Sequence, residues 1–214
     1  MKLSLSVLET NSAINKMILD SLRVELDRTM QKSAQQLPAK IKPLLSDALK
    51  QEPEYASLKS GNLRFEFGIP DSNAVDDVVE KIASTITINA SPIKISGAGL
   101  SGGFTLTAIK TDDINGIIND PSAIVEDTAR GYSLPWLEWL LFRGNQTIIK
   151  GYDVKIGPNN NSRTGNAIMV NSNGSWRVPA EFAGTASNNW TTRAVDRLES
   201  TIYKIIQSTV ENNI

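Results

Sequence analysis

The sequence contains neither cysteine nor histidine. Without cysteine there is no disulfide framework, no thiol nucleophile and no thiolate zinc site. Without histidine the chain lacks the side chain that most often serves as a neutral-pH base and as a metal ligand. Any catalysis would have to run on carboxylates, Lys, Tyr, Ser or Thr. The expectation is therefore a non-enzymatic protein that needs no metal and no cofactor. Neither charge dominates: 22 Lys and Arg face 23 Asp and Glu, for a net charge of −1. That balance excludes a strongly basic nucleic-acid binder. No apolar run approaches the about 18 residues that a membrane span needs. Residues 1–8 alternate Leu3, Leu5 and Val7 with Ser4 and Ser6, too short and polar for a secretion signal, and read as a short strand. A soluble protein made in a cytoplasm is expected.

What is present is a 214-residue chain, 40% hydrophobic and 21% charged, the usual globular balance. One α+β domain over residues 1–214 is expected, with a helical part at about 12–60. A mainly antiparallel sheet and a C-terminal helix would fill about 61–214. Ile14, Ile18, Leu22, Leu26 and Met30 recur every four residues and predict a helix over 12–34, punctuated by Leu37-Pro38. Ile41, Leu44, Leu45 and Ala48 predict a second helix, and Pro53 opens a third that stops at Gly61. Leu63, Phe65 and Phe67 alternate with Arg64 and Glu66, the period of a strand. Val75, Val78, Val79 and Ile82 then return to helical spacing after Asp71 or Ser72.

Strands are expected at 85–89, 93–96 and 104–110, and a loop with one helical turn at 112–127. Residues 147–149 and 152–156 read as strands about a turn at Gly151. Strands 167–170 and 176–178 would bracket a hairpin turn at Asn173-Gly174. Trp190, Ala194, Leu198, Ile202, Ile205 and Ile206 stripe a last helix over 189–210.

Residues 134–143 form a short helix whose apolar side chains surround the axis, between Pro135 and Gly144. Such a helix is buried on most sides or serves a partner. The partner reading is preferred and nominates Trp136, Trp139, Phe142 and Arg143 as interface residues. All four tryptophans (136, 139, 176 and 190) lie in the C-terminal half, and Trp is over-represented at interface hot spots.

Other candidate chemistry is thinner. Gly97-Ala98-Gly99-Leu100-Ser101-Gly102 has dinucleotide-motif spacing, but the strand-like Phe104–Thr107 follows where a helix N-terminus would be required. It reads as a mobile or partner-contacting β-turn over 97–103. Asp76-Asp77, Asp112-Asp113 and Asp120 lack the spacing of a calcium loop. Glu138, between Trp136 and Trp139, has the surroundings of a general acid, but a glycosidase needs a second carboxylate. Arg163, Arg177 and Arg193 with Lys150 and Lys155 suggest a phosphate strip, diluted by Asp153, Glu181 and Asp196.

Ser60-Gly61-Asn62-Leu63-Arg64 resembles the Ser/Thr-Gly-x-Leu-Arg step of tail-completion, or head–tail joining, proteins of tailed bacteriophages. Tyr132 with Trp136-Leu137-Glu138 is similar to the aromatic–apolar–Glu step of that group. Here Trp139-Leu140-Leu141-Phe142 follows Glu138, where the group soon has Gly. Pro179-Ala180-Glu181-Phe182 and Thr192-Arg193-Ala194 are similar to its ending. The stretch from Arg163 to Trp190 also resembles virion proteins of contractile-tailed phages. The resemblance implies a virion structural subunit, synthesised in the host cytoplasm and closing a homo-oligomeric, sixfold ring at the neck or tail top. Its partners would be itself and adjacent neck, connector or tail-tube proteins, with no membrane and no sequence-specific nucleic acid. A baseplate or tail-tube component, or a carboxylate-based cell-wall glycoside hydrolase, are the alternatives.

Overall fold

The computed structural model describes residues 10–97, 99–127 and 131–214; the strand expected over 1–8 and Ala98 of the glycine-rich segment lie outside them. The chain is α+β. Its described residues form seven α-helices and three two-stranded antiparallel ribbons. They fall into two compact units, one of 10–40, 87–97, 99–107 and 202–214, the other of 41–86, 108–127 and 131–201. Among the described residues no helix is long and apolar enough to cross a membrane.

Helix α1 runs unbroken over Asn11–Gln51, through the Leu37-Pro38 step expected to end it. Each interior proline removes a backbone hydrogen bond and costs roughly 3 kcal/mol. Around Pro38 and Pro43, however, Leu37, Ile41, Leu45, Ala48 and Leu49 are all buried. At about 1.5–3 kcal/mol for each large side chain, that burial outweighs the two breaks.

In the first unit, the N-terminal part of α1 is tied to strand β1 (Thr87–Ser96) and to the end of helix α7 (Trp190–Glu211). Ile93 N donates to Asp27 Oδ1 at 2.6 Å, Lys40 Nζ to Thr209 Oγ1 at 2.8 Å, and Asn213 Nδ2 to Ser33 Oγ at 3.0 Å. β1 pairs with β2 (Gly99–Thr107) from Thr87↔Thr107 to Ser96↔Gly99, with an irregularity between Ser91 and Lys94. The two strands expected at 85–89 and 93–96 are thus one, carried past Pro92 by that bulge. The glycine-rich turn over 97–103 is also corrected. Gly97 is a turn residue with φ 61°, and Gly99, Gly102 and Gly103 are strand. At Gly102 an added Cβ would meet the tip of the Ile93 side chain, which would have to shift.

In the second unit, helix α2 (Pro53–Ser60) starts on its proline and ends at Gly61, whose N–H reaches Ser57 O at 2.9 Å. The expected strand at Leu63–Phe67 is instead helix α3 (Asn62–Phe67). Leu63 and Phe67 are four apart as well as alternate, and both are buried. Arg64 stabilises the end by donating to the carbonyls of Lys59, Ile69 and Pro70, and Gly68 terminates it at φ 71°. Helix α4 (Asn73–Ser84) buries Val75, Val78, Val79 and Ile82 completely.

Helix α5 (Thr111–Ile118) and a 3-10 turn (Pro121–Ala123) replace the expected loop. The short ribbon β3 (Val125–Asp127) and β4 (Tyr132–Leu134) leads into helix α6 (Trp136–Phe142). β5 (Thr147–Ile156) and β6 (Ala167–Arg177) pair along their whole length. The hairpin expected at Asn173-Gly174 is therefore mid-strand. Between Lys150↔Ser175 and Tyr152↔Asn171 β6 carries two residues more than β5, so the bulge lies in β6, opposite Gly151 (φ 79°). Gly174 leaves room for the Asp153 carboxylate, which an added Cβ would meet at 2.1 Å.

Candidate functional site

Helix α6 buries Trp136, Leu137, Leu140 and Leu141. Trp136 Nε1 donates to Ser122 O at 3.1 Å, and its ring lies 6.3 Å from that of Phe67. Trp136, one of the four expected interface residues, is thus interior to its own unit. The other three, Trp139, Phe142 and Arg143, are three and four residues apart and share one helical face. Trp139 is half-buried and Phe142 exposed. The Arg143 guanidinium sits 6.0 Å over the Trp139 ring and pairs with Glu138. The segment after β6 locks the helix end: Gly184 N donates to Leu140 O at 2.9 Å, and Gly144 N to Gly184 O at 3.0 Å.

A groove of about 990 Å³ opens in the same unit between the end of α3, the β3–β4 ribbon, the β5–β6 ribbon and residues 159–164. Phe65, Tyr132, Tyr152 and Trp176 supply aromatic walls, and Ile149, Val154 and Met169 an aliphatic one. Glu66 lies among them. Burial pushes its carboxyl above the usual range, the Trp176 indole opposes that rise, and Glu181 adds to it. Trp176 is 7% exposed, and its Nε1 has no partner at hydrogen-bond geometry. Its effect on Glu66 is therefore that of a near approach rather than a formed hydrogen bond. Arg163, also lining the groove, is 3.3 Å from Asp127 as an ion pair.

The remaining candidates have structural partners. Burial would raise Asp76, but hydrogen bonds from Lys59 at 2.6 Å and Tyr55 at 2.7 Å hold it below its ordinary value. Tyr55 is pushed up to about 12 by burial and then by Asp76. Asp120 accepts from Lys81 Nζ, Ser122 Oγ and Ser122 N, which hold it at about 2. Arg193 pairs with the buried Glu54 and lies 3.7 Å from the buried Glu52, so it belongs to no phosphate strip. Lys150, Lys155 and Arg177 are exposed. Among the described residues no group of three or more acids is placed to hold a metal.

Glu138 faces its own helix-end arginine; a hydrolytic reading would need a second carboxylate about 5–9.5 Å away. Sequence reasoning missed Glu66 and singled out Trp176 only as one of four tryptophans. The available signal was an acid between two phenylalanines, Phe65 and Phe67, which strand periodicity placed on the solvent side. No protein-family model matches the chain, and neither a curated protein nor a solved structure matches it.

Proposed function

We propose that this chain is a structural subunit of a tailed-bacteriophage virion that closes a homo-oligomeric ring at the neck or tail top. The phage assignment rests on the short motif resemblance at 60–64, 132–138 and 179–194. The assembly part rests on one observation in the first unit. On the N-terminal half of α1, Met17, Ile18, Leu22 and Val24 are 55, 51, 48 and 52% exposed. Four large apolar side chains within eight residues form the kind of patch that marks a protein interface. Covering each would contribute about 1–2 kcal/mol, given that half of each is still in water. The face of α6 that carries Trp139, Phe142 and Arg143 offers a second contact of aromatic and guanidinium character, the composition of interface hot spots.

In this reading the chain performs no chemistry, and its mechanism is the covering of these surfaces on ring closure. The test is light scattering on the eluting protein together with negative-stain electron microscopy. The expected outcome is a closed ring for the native chain. Leu22→Glu with Val24→Glu should give a monomer with an unchanged circular dichroism spectrum. A native chain that stays monomeric at the highest concentration reached contradicts the assembly reading.

A further inference from the structure

Among the described residues, the groove holds a carboxylate that no cation answers. Glu66 is half-buried and desolvated. Among the described residues, the influences acting on it are burial, the Trp176 indole and the Glu181 carboxylate, with no lysine or arginine. The groove's own guanidinium, Arg163, is engaged with Asp127. A carboxylate taken out of water without a counter-ion costs free energy that a bound cation would recover. Aromatic rings attract cations through their faces, and aliphatic walls suit a methylene stem.

We propose that this groove is a binding site for an organic cation, an alkylammonium or guanidinium group on an aliphatic stem. Glu66 is its counter-charge, and Phe65, Tyr132, Tyr152 and Trp176 are its walls. Ile149, Val154 and Met169 take the stem. The indole of Trp176, 7% exposed and with no hydrogen-bond partner for its N–H, approaches the Glu66 carboxyl and opposes the rise that burial imposes on it. The volume, about 990 Å³, is at the upper end of small-ligand pockets, which run from about 300 to 1,000 Å³. This site stands independently of the ring reading, because it uses neither α1 nor α6.

The probe is cadaverine, with pentanediol as the uncharged analogue of equal length. The four tryptophans give four indole N–H signals in an 15N-labelled sample, and Trp176→Phe identifies the relevant one. Cadaverine should move the Trp176 signal saturably and pentanediol should not. Glu66→Gln should weaken the response at least about tenfold, as expected on losing a charge-assisted hydrogen bond, with an unchanged melting curve. Tyr152→Ala, at a half-exposed wall, should weaken it several-fold without touching the carboxylate.

The source of the cation is read in a second arm. If cadaverine also dissociates the assembled protein, the natural occupant is a basic side chain of a neighbouring subunit. If assembly is unaffected, it is a free amine. The proposal is overturned if the Trp176 signal does not move, if pentanediol moves it equally, or if Glu66→Gln responds like the native chain.

Discussion

At Arg193 one guanidinium answers two carboxylates taken out of water. Glu54 is fully buried and Glu52 is 3% exposed. Burial pushes Glu54 up even though Arg193 pulls it down, and one of its oxygens has no hydrogen-bond partner. Arg197 stands 2.8 Å from Glu52 as a second cation, at an angle that is not that of a hydrogen bond. Replacing Arg193 by Met should therefore cost more than an ordinary surface change. Loss of one partner of a buried pair costs about 3–5 kcal/mol, and the lower end applies because the arginine is partly exposed. Urea denaturation of Arg193→Met should show a loss of about 3 kcal/mol. A loss within the range of surface substitutions would mean that water already solvates the pair.

Asp120 makes a different residue-scale prediction. Its hydrogen bonds to Lys81 and Ser122 lower its folded pKa to about 2 from an ordinary 3.8. A depressed carboxylate contributes stability that is fully present above its unfolded pKa. That contribution should disappear as the pH falls from about 4 to about 2. Because Lys81 is 42% exposed, screening limits it to about 1 kcal/mol. Asp120→Asn should melt lower than the native chain at pH 7, and the two melting curves should converge near pH 2.

At the scale of elements, glycine matters by contact rather than by motif. Gly184 lies against the end of α6, where an added Cβ would meet the Leu140 carbonyl at 2.5 Å and that of Leu141 at 2.9 Å. Two successive backbone carbonyls cannot yield as a side-chain tip can. Gly184→Ala should cost about 1–3 kcal/mol or more. Gly99 and Gly103, in the segment with nucleotide-like spacing, have open space where a Cβ would go. Their alanine variants should stay within about 0.5 kcal/mol of the native chain in the same denaturation assay.

The elements also show where sequence reading succeeds. α4 and α7 were legible because four or more apolar residues repeat at helical spacing inside one element. α3 was not, because Leu63, Phe65 and Phe67 satisfy both a strand period and an i, i+4 pair. What decided between them was Gly68, a helix-ending glycine, and the three carbonyls five or six positions away that Arg64 holds. β6 was split at Asn173-Gly174 because that dipeptide is a turn signal; here the glycine serves the Asp153 side chain across the ribbon. Trp139, Phe142 and Arg143 were nominated through apolar density alone. That density could not separate them from Trp136, whose ring contacts Phe67 some seventy positions earlier in the chain.

At the scale of the molecule, both compact units are stitched from distant stretches of sequence. Trp190, 1% exposed, donates its indole N–H to the Leu49 carbonyl at 2.9 Å across 141 positions of sequence. A contact of that span carries a large loop-closure cost and forms slowly. It also imposes an order in time. On the ribosome the C-terminal turns of α1 and all of α2 emerge long before Trp190 and Arg193 exist to cover Leu49 and neutralise Glu54. Until then they present buried-type leucines and uncompensated acids to the surrounding solution. The last fifth of the polypeptide thus acts as a completion signal, and a nascent chain that stalls short of it should remain chaperone-bound or be degraded rather than accumulate.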